Sequence, residues 1–185
     1  RKRTPGDGVV AGTGTINADL FGEEAARAMV VHYDYTVLAG TQGARNHYKQ
    51  DRMFELALRF RMPIVLFGEG GGGRPGDDST GPAVAFDTHT FTQFSKLSGA
   101  VPMVGVNHGR CFAGNTALLA CCDVIIATKD STIAMGGPAM IEGGGLGIYT
   151  PEEVGPMSFQ VPNGVVDILA VSYTHLTLPT TYGGW

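Results

Sequence analysis

The chain has 185 residues, of which 43% are hydrophobic, and a formal net charge of −4 at pH 7. This length and composition fit one globular domain and exclude a disordered tail. The slight acidity argues against nucleic acid as a partner, and no apolar run approaches the roughly 20 residues that a membrane span needs, so we expect a small-molecule or protein partner and no membrane.

The cysteines and histidines give no sign of a metal site. The three cysteines cannot all pair, and Cys121 and Cys122 are adjacent beside an apolar run. Such cysteines are typical of core thiols in a reducing compartment, so we expect a cytoplasmic protein. Histidines 32, 47, 89 and 108 are scattered without the spacing of metal ligands, and no metal is expected.

The first third of the chain is predicted to contain strands and one helix. Glycine-punctuated β sequence covers residues 9 to 17, and residues 28 to 38 predict a strand pair or one long bent strand. Residues 44 to 62 repeat apolar side chains at helical spacing, and Pro63 ends that helix. The apolar run from 63 to 67 is typical of a strand covered on both faces.

The same unit recurs downstream. A helix is predicted over residues 82 to 98, a buried strand over 101 to 106, a short helix over 115 to 122 and a strand over 124 to 127. The segment 135 to 147 is too glycine-rich for a regular element, and Thr150 starts a short helix through a capping box. This repeat of helix, strand and loop predicts an α/β fold with functional loops at the strand ends.

Two of the predicted strands end in glycine-bearing loops. Residues 67 to 74 read Phe-Gly-Glu-Gly-Gly-Gly-Gly-Arg, and residues 107 to 114 read Asn-His-Gly-Arg-Cys-Phe-Ala-Gly. A backbone without Cβ atoms lets a ligand reach main-chain N–H groups, which can hold a phosphate or a developing oxyanion. A flexible loop explains the glycines about equally well. Because the first loop lacks the Lys-Ser/Thr of a P-loop and no helix opens directly on it, oxyanion stabilisation is favoured over phosphate binding.

The order of these motifs resembles the carboxyltransferase domain of biotin-dependent acyl-CoA carboxylases of the acetyl- and propionyl-CoA carboxylase type, within the crotonase superfamily. The resemblance covers residues 6 to 170. It is carried by Gly6-Asp-Gly-Val-Val10, Gly14-Thr-Ile-Asn17, Asp34-Tyr-Thr-Val37, Lys49 with Arg52, Glu69-Gly-Gly-Gly-Gly-Arg74, and Gly109-Arg-Cys-Phe-Ala-Gly114 followed by Asp123. It implies a crotonase-like α/β spiral of repeated ββα units, with both glycine loops at one end of the core sheet.

The resemblance implies carboxyl transfer from carboxybiotin to the α-carbon of an acyl-CoA. In that family, two strand-end loops each give a main-chain N–H to the thioester oxygen, which becomes negative in the enolate. Carried across, the catalytic donors are Gly72 or Gly73 and Ala113 or Gly114. Biotin would sit on a carrier domain rather than on this chain, and released biotin rather than a side chain would take the α-proton.

Five further residues are candidates for substrate binding: Gly71, Phe112, Lys49, Arg52 and His108. Gly71 and Phe112 flank the donors, and His108 ends the strand before the second loop. Lys49 and Arg52 could meet the CoA phosphates, although a solvated helix face explains them equally well.

Three residues depart from the family pattern. Ala113 stands where the family often has glycine, Asn115 replaces a small residue, and Phe112 is bulkier than usual. Backbone donation survives an alanine, but these changes leave the shape of the acyl pocket, and so the acyl group, open.

The implied partners are an acyl-CoA, biotin carboxylase and biotin carrier domains, an absent C-terminal carboxyltransferase half, and further copies in a homo-oligomer. Residues 1 to 170 would be an N-terminal half truncated at both ends and inactive by itself. Residues 171 to 185 break the preceding pattern and resemble translated adapter sequence, so we expect a non-native tail.

Two alternatives stay open. The first is another crotonase-type enzyme, such as an enoyl-CoA hydratase or isomerase, or a serine protease variant. A hydratase needs carboxyl groups at the cleft, and the candidates after the second loop are Glu142, Glu152 and Glu153, whereas neither loop offers the serine of a protease. The second alternative is a non-catalytic CoA-binding fragment.

Overall fold

The computed structural model describes residue 4, residues 6 to 74 and residues 88 to 171. The beginning of the helix predicted over residues 82 to 98 lies outside the described residues. So do residues 172 to 185 of the predicted tail.

Strands and helices alternate along the described residues. The strands are β1 (Val9–Thr15), β2 (Arg27–Tyr33), β3 (Ile64–Phe67), β4 (Met103–Asn107), β5 (Arg110–Phe112), β6 (Val124–Thr128), β7 (Thr132–Ala134) and β8 (Ile168–Ala170). The helices are α1 (Ala18–Phe21), α2 (Ala44–Phe60), α3 (His89–Ser95), α4 (Gly114–Leu119), α5 (Pro138–Gly143) and α6 (Met157–Gln160), with 3₁₀ turns at Leu38–Gly40 and Pro151–Glu153.

A six-stranded sheet in the order β1-β2-β3-β4-β6-β8 forms the framework. Strand β1 is antiparallel to β2, and every other neighbouring pair is parallel. Strands β5 and β7 form a second, two-stranded parallel sheet. The mixed α/β class with a mainly parallel sheet is therefore as predicted, and parallel pairing brings the carboxyl ends of β3, β4 and β6 to one edge.

The main core lies between the sheet and helices α2 and α3. Phe54 of α2 and Phe94 of α3 are fully buried, and their ring centroids are 4.6 Å apart. Helix α2 ends where Arg61 takes a left-handed conformation at φ 51°, two residues before Pro63. A second cluster of buried side chains, which includes Ile125, Ile133 and Met157, joins β6, β7 and α6.

Some predicted elements differ from those observed. Strand β2 ends at Tyr33, so the long strand predicted to residue 38 was wrong in its second part, where the chain turns towards α2. The segment 135 to 147 was expected to lack regular structure, yet α5 forms there. Proline at its first position favours helix initiation, and its first five residues contain no glycine.

The capping box at Thr150 is confirmed, because the Thr150 N–H donates to Glu153 Oε2 at 2.7 Å. It opens a 3₁₀ turn rather than an α-helix. No helix in the described ranges is long and apolar enough to cross a membrane.

A buried hydrogen-bonded chain links β2 to the start of α2. The Tyr33 hydroxyl donates to Gln50 Oε1 at 2.7 Å and accepts from Gln42 Nε2 at 2.8 Å. Burial raises the pKa of Tyr33 well above its ordinary value, so the phenol stays protonated and keeps its donor role.

We expect the Tyr33→Phe change to lower the free energy of unfolding by about 1–3 kcal/mol, because it leaves the Gln42 and Gln50 amides without their partner inside the core. Tyr48 is a matched control, since its side chain is exposed. The Tyr48→Phe change should cost less than about 0.5 kcal/mol. Chemical denaturation of both variants measures the difference, and equal losses would contradict the role of this network.

Candidate functional site

The two glycine loops meet at the carboxyl edge of the sheet. The Gly70 N–H donates to the Arg110 carbonyl oxygen at 2.8 Å, and the Phe112 N–H donates to the Gly70 carbonyl oxygen at 2.8 Å. These bonds form a parallel bridge between Gly70 and Cys111, just beyond the ends of β3 and β4. The prediction that both loops lie at one end of the core sheet is confirmed.

The closest approach between the loops is at Gly72. This residue has φ +82°, and a Cβ atom built on it would lie 2.5 Å from the Ala113 Cβ and 3.2 Å from the Gly114 nitrogen. A side chain at this position is therefore excluded by backbone conformation and by the opposing loop. The Gly114 N–H therefore lies next to Gly72, the neighbour of Gly73 in the first loop.

Hydrogen bonds within the protein already occupy two of the four candidate donors. The Gly72 N–H donates to Asn115 Oδ1 at 2.9 Å, and the Ala113 N–H donates to the Ala134 carbonyl oxygen at 3.1 Å. Within the described ranges, the N–H groups of Gly73 and Gly114 have no acceptor. Gly73 is exposed and Gly114 is half-buried, so each loop contributes one N–H that a ligand can reach.

Gln42 and Phe91 border the Gly114 donor, and neither was singled out from the sequence. A Cβ atom on Gly114 would lie 2.7 Å from Gln42 Oε1 and 3.1 Å from Phe91 Cζ. The Gln42 backbone also holds the first loop, because its N–H donates to the Gly72 carbonyl oxygen at 2.6 Å and its carbonyl oxygen accepts from the Arg74 N–H at 2.9 Å. Both residues lie far from the second loop in sequence, and no motif marks them.

Arg74 anchors the end of the first loop. Its Nη1 contacts Asp7 Oδ1 at 2.5 Å, and its Nη2 donates to the Thr41 carbonyl oxygen at 2.9 Å. Both charged side chains are largely buried. The ion pair fixes residue 74 to the turn before β1 and, through Thr41, to the segment before α2.

Ala113 has an unusual backbone conformation, with φ 52° and ψ −123°. Such a conformation costs an L-residue about 1–3 kcal/mol and persists only where neighbouring contacts hold it. Here the Thr116 hydroxyl contacts the carbonyl oxygens of Cys111 at 2.8 Å and Ala134 at 3.0 Å, on either side of the loop. The strained turn directs the chain from β5 into α4 and places Gly114 at the helix start.

The candidates for substrate binding are dispersed. Lys49 Nζ donates to the carbonyl oxygens of Gly6 and Val9, so this ammonium contacts the start of β1. Arg52 pairs with Glu55 at 2.8 Å on an exposed helix face. Gly71 lies in the first loop itself, and its N–H donates to the Ala39 carbonyl oxygen at 3.0 Å. Their roles in binding stay predictions.

The other two candidates adjoin the second loop. Phe112 is buried and its ring packs against Gly137, on the side of α5. His108 is exposed, and its backbone N–H donates to Glu69 Oε1 at 3.2 Å. The ring of Phe112 therefore contacts the protein interior, and substrate binding by either residue stays a prediction.

The glutamates considered for acid–base chemistry are on the surface. Glu152 pairs with Arg110, and this partner lowers the Glu152 pKa. Hydrogen bonds from Thr150 lower the pKa of Glu153, and Glu142 is exposed. A general acid at neutral pH needs a raised pKa, so the environments of Glu152 and Glu153 do not favour that role.

A histidine near the second loop is oriented by a hydroxyl and a carboxylate. The Thr90 hydroxyl donates to Asp51 Oδ1 at 2.5 Å, so its oxygen is left to accept from His47 Nδ1 at 2.9 Å. Burial lowers the pKa of His47, although Asp51 and Asp7 act in the opposite direction. The His47 ring contacts the edge of Phe91, with centroids 6.4 Å apart.

The thiols have no catalytic environment. Cys111 donates to the Gly68 carbonyl oxygen at 2.7 Å, and burial raises its pKa to about 12. A nucleophilic cysteine needs the opposite shift. Among the described residues, no group of three or more His, Cys, Asp or Glu side chains is arranged to hold a metal ion.

Comparison with known families gives one match, the Carboxyl transferase domain, over residues 1–175. The methylmalonyl-CoA decarboxylase subunit alpha of Veillonella parvula is 30% identical over 92% of this chain and 32% of its own length. The methylmalonyl-CoA carboxyltransferase 12S subunit of Propionibacterium freudenreichii subsp. shermanii is 34% identical over 75% of this chain and 25% of its own. The chain thus spans about a third or less of the length of these relatives.

Solved structures show the same fold. A single-chain, multi-domain long-chain acyl-CoA carboxylase superposes with a TM-score of 0.87 and 60% identity over 93% of this chain and 17% of its own. The transcarboxylase 12S structure superposes with a TM-score of 0.74 and 28% identity over 91% of this chain and 32% of its own. The crotonase-like α/β fold expected from the sequence is confirmed.

We expect the Ala113→Gly change to leave stability unchanged or to raise it by about 1 kcal/mol, because it removes the strain of a Cβ atom at positive φ. Ala117, which lies inside helix α4 just after Ala113, is a matched control. The Ala117→Gly change should cost about 1 kcal/mol. Chemical denaturation of the intact protein compares the two, and an equal loss in both variants would show that Ala113 is not strained.

His47 is expected to titrate below its ordinary value of 6.5 in the folded protein. The unfolded chain then binds the proton first, so this residue's contribution to stability is present above about pH 6.5 and is lost as the pH falls. NMR titration of His47 measures the pKa, and the Asp51→Asn change should lower it further by removing a carboxylate. A His47 pKa above the ordinary value would contradict the prediction.

Proposed function

The chain belongs to the carboxyl transferase domain family, and from this premise we propose that it forms the N-terminal half of a domain that carboxylates the α-carbon of an acyl-CoA. One observation carries the proposal. The N–H groups of Gly73 and Gly114, on two loops joined by backbone hydrogen bonds, are free of acceptors in the described residues. From the alternatives expected from the sequence, Gly72 or Gly73 and Ala113 or Gly114, we take Gly73 and Gly114.

The proposed role of these donors follows from where charge develops. When the α-carbon of a thioester loses its proton, negative charge accumulates on the thioester oxygen. Two N–H groups held by the loop after β3 and by the start of α4 would stabilise that charge without reorganising, and each is worth about 3–4 kcal/mol of barrier. The surrounding contacts from Gln42 and Arg74 hold the first loop in place.

Carboxybiotin would supply the carboxyl group when bound. The two free donors lie on loops that a backbone bridge joins, and we assign them to the thioester oxygen. Biotin would reach the site on a carrier domain, and residues of the C-terminal half would hold it. Biotin carboxylase and carrier domains are therefore the proposed partners, and the isolated chain is proposed to be inactive.

A long-chain acyl-CoA is the proposed substrate, supported by the 60% identity to the long-chain acyl-CoA carboxylase. We propose a homo-oligomer in the cytoplasm, supported by the hexamer assembly of the transcarboxylase 12S structure. Several large apolar side chains after β7 are exposed and would suit a surface covered by the other half or by another copy: Met135, Met140, Leu146, Ile148 and Phe159.

The Gly73→Pro change is expected to lower the carboxylation rate by about 100- to 1,000-fold, because it removes one of the two donors. No backbone hydrogen bond depends on the Gly73 N–H within the described residues, so the change targets donation. The Gly73→Ala change is the matched control, since it keeps the N–H and its Cβ meets no atom of the described residues within 4 Å. It should retain most of the rate.

The measurement is carboxylation by the full-length protein with an acyl-CoA series, with calorimetry to establish that each variant is folded. Rates that fall equally in both variants would indicate crowding rather than loss of a donor. An unchanged rate in the folded Gly73→Pro variant would rule out Gly73 as the donor. Lack of carboxylation of every acyl-CoA by the unaltered protein would refute the proposed activity itself.

A further inference from the structure

Asn115 makes an unusual set of contacts for a side chain at the second position of a helix. It is fully buried, and its Oδ1 accepts from the Gly72 N–H at 2.9 Å. Its Nδ2 donates to the carbonyl oxygens of Glu69 at 3.0 Å and Gly40 at 3.1 Å. One amide thus joins the start of α4 to the first loop and to the 3₁₀ turn before α2.

The first loop is shaped around this amide. A Cβ atom on Gly70 would lie 2.2 Å from Asn115 Nδ2 and 2.2 Å from the Gly40 carbonyl oxygen, so both the amide and the 3₁₀ turn pack directly against the backbone of the first loop. A smaller residue at 115 would leave one N–H and two carbonyl groups of the backbone without these partners. Leaving buried polar groups unpaired destabilises a fold, so the amide strongly favours the observed loop.

We propose that Asn115 is a positioning residue that selects which backbone N–H groups face the substrate. By accepting from Gly72 it removes that N–H from the site and leaves the next one, Gly73. Asn115 directly follows Gly114 in the chain, and its side chain bonds to the first loop. It therefore fixes the Gly73 and Gly114 N–H groups relative to each other. This inference rests on the proposed function and deepens it, because it assigns the geometry of the donor pair to one side chain.

A positioning role and a merely structural role differ in what they change. If Asn115 only stabilises the fold, its loss lowers the melting temperature and leaves kcat unchanged in molecules that remain folded. If Asn115 positions the donors, kcat falls while KM for the acyl-CoA changes far less, because the donors act on the charge that develops in the transition state.

The Asn115→Asp change separates these possibilities with little change in shape. A carboxylate can still accept from Gly72, but it has no hydrogen to donate to Glu69 or Gly40 and faces their carbonyl oxygens. We expect kcat to fall by about 100-fold, as for a small misplacement of reacting groups. Protonation of the introduced carboxyl group restores one O–H donor for the loop carbonyl groups. The loss of kcat relative to the unaltered protein should therefore shrink as the pH is lowered.

The control is Asn163→Asp, since Asn163 is exposed. It should change neither kcat nor its pH profile. All three proteins are tested at full length, with kcat and KM for an acyl-CoA measured across the pH range in which the unaltered protein stays folded. A folded Asn115→Asp variant with unaltered kcat, or with a deficit independent of pH, would overturn the proposal.

A second readout does not depend on carboxylation. Hydrogen exchange resolved at Gly72 should show protection in the unaltered protein and fast exchange in an Asn115→Ala variant, with Gly70 remaining protected by its bond to Arg110. Equal protection of Gly72 in both proteins would refute the positioning role. If the Asn115→Ala variant does not fold, the same exchange is measured in an Asn115→Leu variant, which nearly keeps the volume of the side chain and has no acceptor for the Gly72 N–H. Binding of the acyl-CoA without turnover would refute the proposed function and leave this test intact.

Discussion

The parallel pairing of β3 with β4 is the constraint on which the site depends. Ile64 pairs with Met103 and Phe67 with Val106, so the two strands end at the same level. Beyond β3 and β4, a bridge between Gly70 and Cys111 of β5 joins the two loops. Main-chain pairing thus brings the loops together, whereas the Asn115 side chain accepts from Gly72 and so affects which N–H groups of the described residues are left without an acceptor.

Much of the fold could be predicted because its signals are local. Apolar spacing and Pro63 defined α2, and the buried strands were evident as short apolar runs. Several short elements were missed, and β7 and α5 show the physical reasons. Strand β7 has only three residues and is stabilised by pairing with β5. Helix α5 was obscured by Gly136 and Gly137 before it and by the glycines from 143 to 145 at its end. Pairing partners distant in sequence cannot be deduced from local pattern.

The site was predictable as two loops but not as two particular N–H groups. Which donors are free depends on Asn115 and Ala134, which accept from Gly72 and from Ala113. From the sequence, Asn115 was only a departure from the family pattern, and its contact with residue 72 spans 43 positions. The charge of Lys49 suggested a phosphate contact, which stays a prediction, but its bonds to the carbonyl oxygens of Gly6 and Val9 could not be deduced from the sequence.

Backbone chemistry also bears on which acyl groups the site can accept. Phe112, expected to shape the pocket, packs against Gly137 instead, whereas Gln42 and Phe91 approach Gly114. The side chains that border the second donor therefore come from the segment before α2 and from α3, not from the loop that carries the donor. Under the proposed function, the groups that stabilise charge belong to the main chain, and the side chains around them belong to other elements. Such a separation would let one pair of N–H groups serve thioesters with different acyl chains, with selectivity set by the surrounding side chains.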